Sequence, residues 1–397
     1  MELALPGELL TYDYRDKQNP TDEAVAIPAP LRVVQWNIER GYQLDKVLET
    51  LERLDADIIC LQEIDIGNKR SGGGNHAQAI AERLKLNGAM VVEFQELESP
   101  ARDKGQQGGG IHGNAIYSKY NMNLRVIDHR HQPYNWERDG AILGEPRRGR
   151  RFTLAAEVLV PRRPSVLAYS AHFECFTGII GRVGQLSDLM HDSEQHAATL
   201  PHQLVFGDLN TFAHSLARLS PKYACDWYRW RTVGMTEPEW WLKNILSWYQ
   251  SDGPINRCLE EQTLPEHLQF SAQILRTAIN PGWFDPFDLY KDITISNHAG
   301  FMTAKADWAF VRQFKVSKHW MENRDFEASD HRCLVLEVEY AQKDVMAEHE
   351  RFTRRMASEL ERARHSRVWT YCSLAGASVL SIVALKLARV SIMSGTM

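Results

Sequence analysis

The 397-residue chain is 44% hydrophobic and 24% charged, which excludes a disordered protein and is enough to build one large α/β domain with appendages. Its net charge of -5 argues against a uniformly basic nucleic-acid coat but leaves room for a local basic groove. The six cysteines form no Cys-x-x-Cys pair or zinc spacing, so we interpret them as reduced thiols of a cytosolic fold.

The N-terminal part of the chain consists of an irregular arm followed by the start of a domain with regular hydrophobic periodicity. Residues 1–30 hold prolines and glycines with little periodicity, which predicts an arm. Two short apolar runs then flank a segment of helical spacing, and this order predicts a βαβ unit of a layered α/β fold. The strand, the helix and the second strand are predicted at Leu31–Trp36, Leu44–Leu54 and Ile58–Gln62.

Helical and alternating patterns continue through the middle of the chain. Their mixture favours a mixed sheet or two stacked sheets with helices outside. The glycine-rich stretch Gln106–Gly110 lacks the lysine and spacing of a P-loop and is interpreted as a flexible loop. Helices are predicted at Asn75–Leu86 and around Arg182–Leu189, and strands at Ala89–Phe94, Asn114–Ser118, Arg151–Val160, Ser165–Phe173, Val205–Asn210, Thr303–Val311 and Cys333–Tyr340.

A tryptophan-rich segment, residues 212–292, interrupts this order. Thr236 and Glu239 have the spacing of a capping box, which predicts a helix from there to about Tyr249. The aromatic face of this helix is more typical of core packing than of a substrate platform. A second short helix is predicted at Gln273–Ile279.

The C-terminal part of the chain has the pattern of a membrane anchor. Residues 341–367 are charged and rich in arginine, which predicts a helical linker. Val368–Leu385 is an uncharged run of about 18 residues, the lower limit for a membrane-spanning helix. We expect an anchor at 368–390 that holds the main domain on the cytosolic side of the endoplasmic reticulum or the mitochondrial outer membrane. A soluble helix docked on the domain is the alternative.

Polar residues follow several of the predicted strands or lie just before them. Asp208 and Asn210 are two residues apart and share one face of a strand end, although Gly-Asp-x-Asn is also an ordinary turn. A phosphoesterase needs carboxylates for a hard divalent cation, amides for phosphate oxygens, and a histidine paired with a carboxylate. The residues that supply this inventory are Asn37, Glu63, His172, Asp208, Asn210, Asp307, Asp330 and His331.

In this ordered series the chain resembles the endonuclease/exonuclease/phosphatase superfamily, the fold of DNase I. The resemblance spans about residues 31–340, and it implies a four-layered α/β sandwich with two facing mixed sheets. It also implies hydrolysis of phosphoesters with Mg²⁺, or Mn²⁺, as cofactor. The matching segments are Gln35-Trp36-Asn37-Ile38, Leu61-Gln62-Glu63, Gly113-Asn114-Ala115-Ile116-Tyr117-Ser118, Ser170-Ala171-His172, Gly207-Asp208-Leu209-Asn210, Ala306-Asp307-Trp308 and Ser329-Asp330-His331.

The resemblance also implies a role for each matching residue. It leaves open which of Asp208 and His331 takes the proton from water. The metal ligands it implies are Glu63, Asn37 and Asp330. The catalytic residues it implies are His172, Asp208, Asn210, Asp307 and His331, and the substrate-binding residue is Asn114. Outside the motifs, one run of arginines is interpreted either as contacts to an anionic substrate or as a solvated charge run: Arg147, Arg148, Arg150 and Arg151.

The sequence leaves three functions open. The acidic composition and the apolar C-terminal run favour a membrane-proximal substrate such as a phospholipid or sphingolipid headgroup, since neutral sphingomyelinases combine this fold with membrane attachment. A nuclease acting on nucleic acid and a catalytically inactive, tail-anchored scaffold are the alternatives. Buried carboxylates that repel one another without a cation argue against the scaffold. No obligate protein partner is inferred.

Overall fold

The computed structural model describes residues 2–16, 30–129, 135–211, 230, 235–247, 280–297, 302–341, 345, 347–360 and 362. Two units divide the chain, Met1–Glu350 and Arg351–Met397, and the strands that the structure describes all belong to the first. The described α-helices include α1 (Leu44–Leu54), α2 (His76–Leu84), α3 (Trp136–Asp139), α4 (Ile179–Gln195) and α5 (Glu237–Trp241), and residues 347–360 are also helical. The described strands are β1 (Leu9–Asp13), β2 (Leu31–Asn37), β3 (Ile58–Ile66), β4 (Asn87–Glu96), β5 (Ile111–Ser118), β6 (Asn121–Asp128), β7 (Arg147–Gly149), β8 (Phe152–Leu159), β9 (Val166–His172), β10 (Gln203–Asp208), β11 (Ile295–Asn297), β12 (Met302–Ala304), β13 (Asp307–Arg312), β14 (Phe314–Glu322) and β15 (Cys333–Tyr340).

Two mixed sheets form the centre of the first unit. The larger sheet has the order β1-β4-β5-β3-β2-β15-β14, and β7 pairs with β4 beside β1. The smaller sheet has the order β13-β10-β9-β8-β6. Only two of these strand pairings are parallel, β2 with β3 and β9 with β10. In each parallel pair the carboxyl ends of both strands lie at the same edge of the sheet.

The two sheets face each other, and helices cover their outer faces. In β3, Ile58 and Cys60 point into the cluster between the sheets, whereas Ile59 and Leu61 point into the cluster beneath α1 and α2. A strand that is buried on both faces has a continuous apolar sequence, as the first part of this strand, Ile58–Leu61, does. On the far side, α4 packs on the smaller sheet. The four-layered α/β sandwich implied by the sequence is confirmed.

The predicted βαβ unit agrees closely with the structure, but other boundaries differ. Helix α1 has the predicted bounds, Leu44–Leu54. The predicted arm is wrong at Leu9–Asp13, because this stretch pairs with β4 as the edge strand of the larger sheet. The strand predicted at Thr303–Val311 is broken after Ala304, because the Thr294 hydroxyl accepts hydrogen bonds from the backbone N–H groups of the two residues that precede and begin β13.

Residues 235–247 of the tryptophan-rich segment pack on the core, as predicted for their aromatic face. Thr236 and Glu239 form the capping box, and the helix continues past α5 to Leu246. Trp241 is fully buried and stacks on Trp308, with ring centroids 6.1 Å apart. A buried ion pair fastens α5 to α4, with Arg182 Nη2 2.6 Å from Glu237 Oε2. The helix predicted at Gln273–Ile279 lies outside the described residues.

The C-terminal predictions are covered only in part. Residues 347–360 are helical, and the linker at 341–367 stays a prediction. Residues 363–397 lie outside the described part of the chain, so the anchor at 368–390 stays a prediction. Among the residues that the structure describes, no helix combines the length and the apolar character needed to cross a membrane.

Candidate active site

The predicted polar residues converge because of the strand pairing. His172 ends β9 and lies opposite Asp208, which ends the parallel strand β10. Asp208 lies opposite Asp307, the first residue of the antiparallel strand β13. From the facing sheet, Asn37 ends β2, and its side chain reaches Asp208. One edge of the sandwich therefore collects polar groups from both sheets.

The carboxylate of Asp208 is the centre of this cluster. Its Oδ2 accepts a hydrogen bond from Asn37 Nδ2 at 2.9 Å, and it lies 3.5 Å from His172 Nε2 and 3.7 Å from His331 Nε2. Its Oδ1 accepts from the backbone N–H of Asn210 at 2.9 Å. Burial raises the pKa of Asp208 to about 6, and the charge of Asp307 adds to this.

His331 and Asp307 form a buried pair. His331 Nδ1 lies 2.7 Å from Asp307 Oδ2, so the Nδ1–H donates to the carboxylate and Nε2 faces Asp208. Gln35 Nε2 donates to the other oxygen of Asp307 at 3.0 Å. Burial would lower the pKa of His331, but the carboxylates of Asp307, Asp208 and Asp330 raise it well above its ordinary value. Asp307 therefore holds the imidazole of His331 in one orientation.

Carboxylates form the more exposed side of the cluster. Glu63 has a φ of 58° at a register shift in the pairing of β3 with β5, and such a bulge re-aims a side chain. Its Oε1 lies 3.9 Å from His172 Nε2. Burial would raise the pKa of Glu63, but Arg40 and neighbouring cationic groups lower it. Asp330 Oδ1 lies 3.8 Å from His331 Nε2, and burial raises the pKa of Asp330.

Glu39 is a third carboxylate here, and the sequence reasoning missed it. Its Oε2 accepts from the backbone N–H of Asp330 at 3.0 Å, and its own N–H donates to Asn37 Oδ1. Burial, and then the charges of Asp330 and Glu63, raise the pKa of Glu39 to about 7. Its position two residues after Asn37, at the end of an apolar strand, is the signal that would have found it.

This oxygen-rich group fits a hard divalent cation. Glu39, Glu63 and Asp330 repel one another, and a cation between them would remove that repulsion. Among the described residues, two groups have ligand atoms that all lie within 4.8 Å of one another, and neither contains Glu39, Glu63 or Asp330. In the first, Asp208, Asp307 and His331, the Asp307–His331 hydrogen bond already engages one nitrogen. In the second, Glu93, His112 and His172, the guanidinium of Arg151 lies between Glu93 and His172.

The amides occupy different places. Asn37 is hydrogen-bonded at both amide atoms, so it positions Asp208 and Glu39. Asn210 has a φ of 51°, and its Nδ2 donates to the Phe173 carbonyl beside His172. Asn114 is fully buried, and its Nδ2 donates to the backbone of β8, so the structure does not bring it into the Asp208 cluster. Its role in substrate binding stays a prediction.

The arginine run divides into two kinds of residue, so its interpretation as a solvated run is wrong for half of it. Arg148 and Arg150 are exposed, whereas Arg147 and Arg151 are buried. The Arg147 guanidinium lies over the ring of Trp136, 3.6 Å from its centroid. Arg151 Nη1 lies 2.9 Å from His172 Nδ1, and burial, with the charge of Arg151 adding to it, lowers the pKa of His172 well below its ordinary value.

Comparison with known proteins decides the family. The model of the endonuclease/exonuclease/phosphatase family matches residues 34–331. The chain belongs to the endonuclease/exonuclease/phosphatase family. Its members are metal-dependent phosphoester hydrolases, and this chain is an enzyme of that class. The match covers every residue of the Asp208 cluster.

The chain is also distantly similar to several solved structures. An endonuclease/exonuclease/phosphatase from Beutenbergia cavernae is 17% identical, with a TM-score of 0.45 over 79% of this chain and 72% of that one. A Bacteroides vulgatus protein of the same description is 13% identical, with a TM-score of 0.46 over 79% and 100%. The human nocturnin catalytic domain is 15% identical, with a TM-score of 0.42 over 84% and 97%. No curated protein matches the sequence.

Proposed function

We propose that this enzyme hydrolyses phosphoesters by in-line attack of water on phosphorus with Mg²⁺ as its cofactor. The observation that carries the proposal is the position of Asp208 Oδ2, 3.5 Å from His172 Nε2 and 3.7 Å from His331 Nε2. A carboxylate between two histidines, beside further carboxylates, supplies proton transfer and cation binding within one small volume.

The residues that would hold the cation are Glu63, Glu39 and Asp330, with Asn37 supporting them. All three carboxylates offer hard oxygen ligands, which suit Mg²⁺ and also Mn²⁺. The bound cation would neutralise the charge that accumulates on the phosphoryl oxygens. These residues lie on the more exposed side of the cluster, where a substrate phosphate has access.

The proton of the attacking water would pass to the Asp208–His331 pair. Asp307 holds the Nδ1–H of His331, so that Nε2 and Asp208 Oδ2 face the same space. The two groups interact so closely that the proton belongs to the pair. His172, on the other side of Asp208, would donate to a phosphoryl oxygen or to the leaving oxygen, and Asn210 would help to hold the phosphate.

A pair of isosteric variants tests the chemistry. With Mg²⁺ and a generic phosphodiester such as bis-p-nitrophenyl phosphate, Glu63→Gln should abolish hydrolysis, and EDTA should do the same to the wild type. Glu82→Gln, at an exposed position of α2, is the matched control and should keep full activity. Hydrolysis that persists in folded Glu63→Gln would refute the assignment.

For the substrate we propose a membrane-proximal phospholipid or sphingolipid headgroup. The support is the uncharged run Val368–Leu385, which follows a linker rich in arginine. Such a tail would hold the catalytic unit at the cytosolic surface of the endoplasmic reticulum or the mitochondrial outer membrane. Extraction of the full-length protein from membranes by alkaline carbonate would count against this anchor.

A substrate panel separates the three functions considered. The full-length protein with Mg²⁺ should release phosphocholine from vesicles that contain sphingomyelin or phosphatidylcholine, and Glu63→Gln should not. Rapid nicking of plasmid or degradation of single strands with inert lipid would instead establish a nuclease. No turnover and no affinity for divalent ions in calorimetry would identify an inactive scaffold.

A further inference from the structure

A buried arginine separates His172 from the nearest carboxylate behind it. Arg151 is 3% exposed, and its Nη1 lies 2.9 Å from His172 Nδ1 and 3.0 Å from Glu93 Oε2. The two hydrogens of this nitrogen therefore point to two different acceptors. Glu93 itself is fully buried, so the guanidinium is its charge partner.

This contact fixes where the proton of His172 lies. A guanidinium only donates hydrogen bonds, so His172 Nδ1 must accept and must carry a lone pair. The hydrogen of the neutral ring is then on Nε2. That nitrogen faces the cluster, 3.5 Å from Asp208 Oδ2 and 3.9 Å from Glu63 Oε1. His172 consequently presents a hydrogen-bond donor to the site.

The two histidines of the site thus hold their fixed hydrogens on opposite ring nitrogens. Asp307 accepts from Nδ1–H of His331, so Nε2 is the nitrogen of that ring that can take up or release a proton. Without Arg151, Glu93 would do the same to His172, because Glu93 Oε2 lies only 3.9 Å from His172 Nδ1. The Arg151 guanidinium lies between Glu93 and His172, so Nδ1 of His172 accepts a hydrogen bond instead of donating one.

We propose that Arg151 is a positioning residue that holds His172 in the Nε2–H tautomer, so that His172 meets the substrate only as a hydrogen-bond donor. The proposal deepens the proposed phosphoester hydrolysis and rests on it for its role in catalysis. A donor at this place suits a phosphoryl oxygen or a leaving oxygen, both of which gain negative charge. The different roles of the two histidines then follow from their partners, because Arg151 donates to His172 and Asp307 accepts from His331.

The tautomer can be measured directly and without turnover. Long-range ¹H–¹⁵N NMR spectra of the full chain with ¹⁵N-labelled histidine distinguish a protonated ring nitrogen from one with a lone pair, and His172→Gln assigns the signals. In the wild type we expect a lone pair on Nδ1 and hydrogen on Nε2 of His172. Hydrogen on Nδ1 would overturn the proposal, even if the protein hydrolysed no phosphoester.

Substitutions of Arg151 then test cause and effect. Arg151→Met should move the hydrogen to Nδ1, where Glu93 accepts it, and lower kcat roughly 10- to 100-fold with little change in KM, as loss of an orienting partner does. Arg151→Lys keeps a donor and should restore the wild-type tautomer and much of kcat. Arg150→Met, on the exposed neighbour that pairs with Asp128, is the control and should change neither the tautomer of His172 nor kcat.

The outcomes remain decisive if one variant is unstable. Should Arg151→Met fail to fold, the wild-type spectrum and the Arg151→Lys spectrum still report the tautomer. A folded Arg151→Met that keeps hydrogen on Nε2 would overturn the role given to Arg151. An inactive wild type with the expected spectrum would contradict the proposed function and leave the tautomer assignment intact.

Discussion

Asp208 and His172 lie side by side at the ends of two parallel strands, with Oδ2 of the carboxylate 3.5 Å from Nε2 of the imidazole. Their backbones are paired within the smaller sheet, so the pairing of β9 with β10 fixes the positions from which the two side chains extend. A site built on paired strands is held more rigidly than one built on loops. Isosteric substitutions at this edge are therefore expected to change chemistry more than folding.

The Asp307–His331 pair should behave as one functional unit. Asp307→Asn and His331→Gln should each lower kcat by roughly 10²- to 10⁴-fold, the range for loss of acid–base catalysis. The double variant should be no less active than His331→Gln alone, because Asp307 acts through the imidazole. Steady-state kinetics with a generic phosphodiester measures this. His191→Gln, on the exposed face of α4, should leave kcat unchanged. If the losses of kcat in Asp307→Asn and His331→Gln added up in the double variant, the two residues would not act as one unit.

Glu39 should destabilise the metal-free protein at alkaline pH. Burial and the charges of Asp330 and Glu63 raise its pKa from 4.5 to about 7, so folding disfavours its charged form, and this penalty grows as the pH rises through that interval. Glu39→Gln should therefore raise the melting temperature by a few degrees at pH 8 in EDTA. Below pH 4.5 the two proteins should melt together.

Two comparisons check the Glu39 effect. Glu49→Gln, at an exposed position of α1, should leave the melting temperature unchanged at both pH values. Added Mg²⁺ should stabilise the wild type more than Glu39→Gln, because a ligand that binds only the folded state adds its binding free energy to stability. Equal melting of wild type and Glu39→Gln at pH 8 in EDTA would show that the carboxylates do not repel one another as described.

Affinity for Mg²⁺ should depend on pH through the same residue. A cation must displace the proton of Glu39 below its pKa of about 7, so the affinity should be about tenfold weaker at pH 6 than at pH 8. Calorimetry in buffers of different ionisation enthalpy should detect more proton release at pH 6. Glu39→Gln should flatten the dependence, and a flat wild-type curve would exclude Glu39 as a ligand.

The ion pair between α4 and α5 should be important for stability. Arg182 is bonded to Glu237 through two nitrogens and also donates to the Thr177 carbonyl. Arg182→Met leaves a buried carboxylate without its partner and should lower the free energy of unfolding by roughly 3–5 kcal/mol in urea denaturation. Replacing both residues by Met should cost less than Arg182→Met alone.

An exposed pair provides the control for this measurement. Arg83 and Glu52 lie 2.9 Å apart, but both side chains are more than half exposed. Arg83→Met should leave the unfolding free energy almost unchanged, because water screens such a pair. A similar loss for both variants would mean that burial does not strengthen the Arg182 contact.

The sequence predicts those parts of the molecule whose local pattern agrees with their environment. Helix α1 has an apolar stripe and is packed along it, so its bounds were predicted correctly. Glu63 and Asp208 follow apolar runs that become buried strands, and parallel pairing places such ends together. Conversely, β14 at the edge of the larger sheet carries polar residues on much of its length, so it gives little signal and is recognisable only from its pairing with β15.

Other features depend on contacts that are remote in sequence. Nothing near Arg151 distinguishes it from its exposed neighbour Arg150, because the residues that bury it, Glu93 and His172, come from other strands. Glu39 is signalled by its place two residues after Asn37, but its contact with the backbone of Asp330 joins residues that are remote in sequence. Both residues become understandable only when the two sheets face each other.

The N-terminal strand β1 bears on how the protein should be produced. It pairs with β4 from Leu9↔Val91 to Asp13↔Asn87, and its flanking Gly7 and Glu8 exchange hydrogen bonds with Val92. A recombinant chain that begins at residue 31, where the resemblance to the family starts, would lack the edge strand β1. The backbone N–H and C=O groups of β4 that pair with β1 would then be exposed and could pair with other molecules. Such a version should precipitate or self-associate, and the disturbed strand would be the one that supplies Glu93.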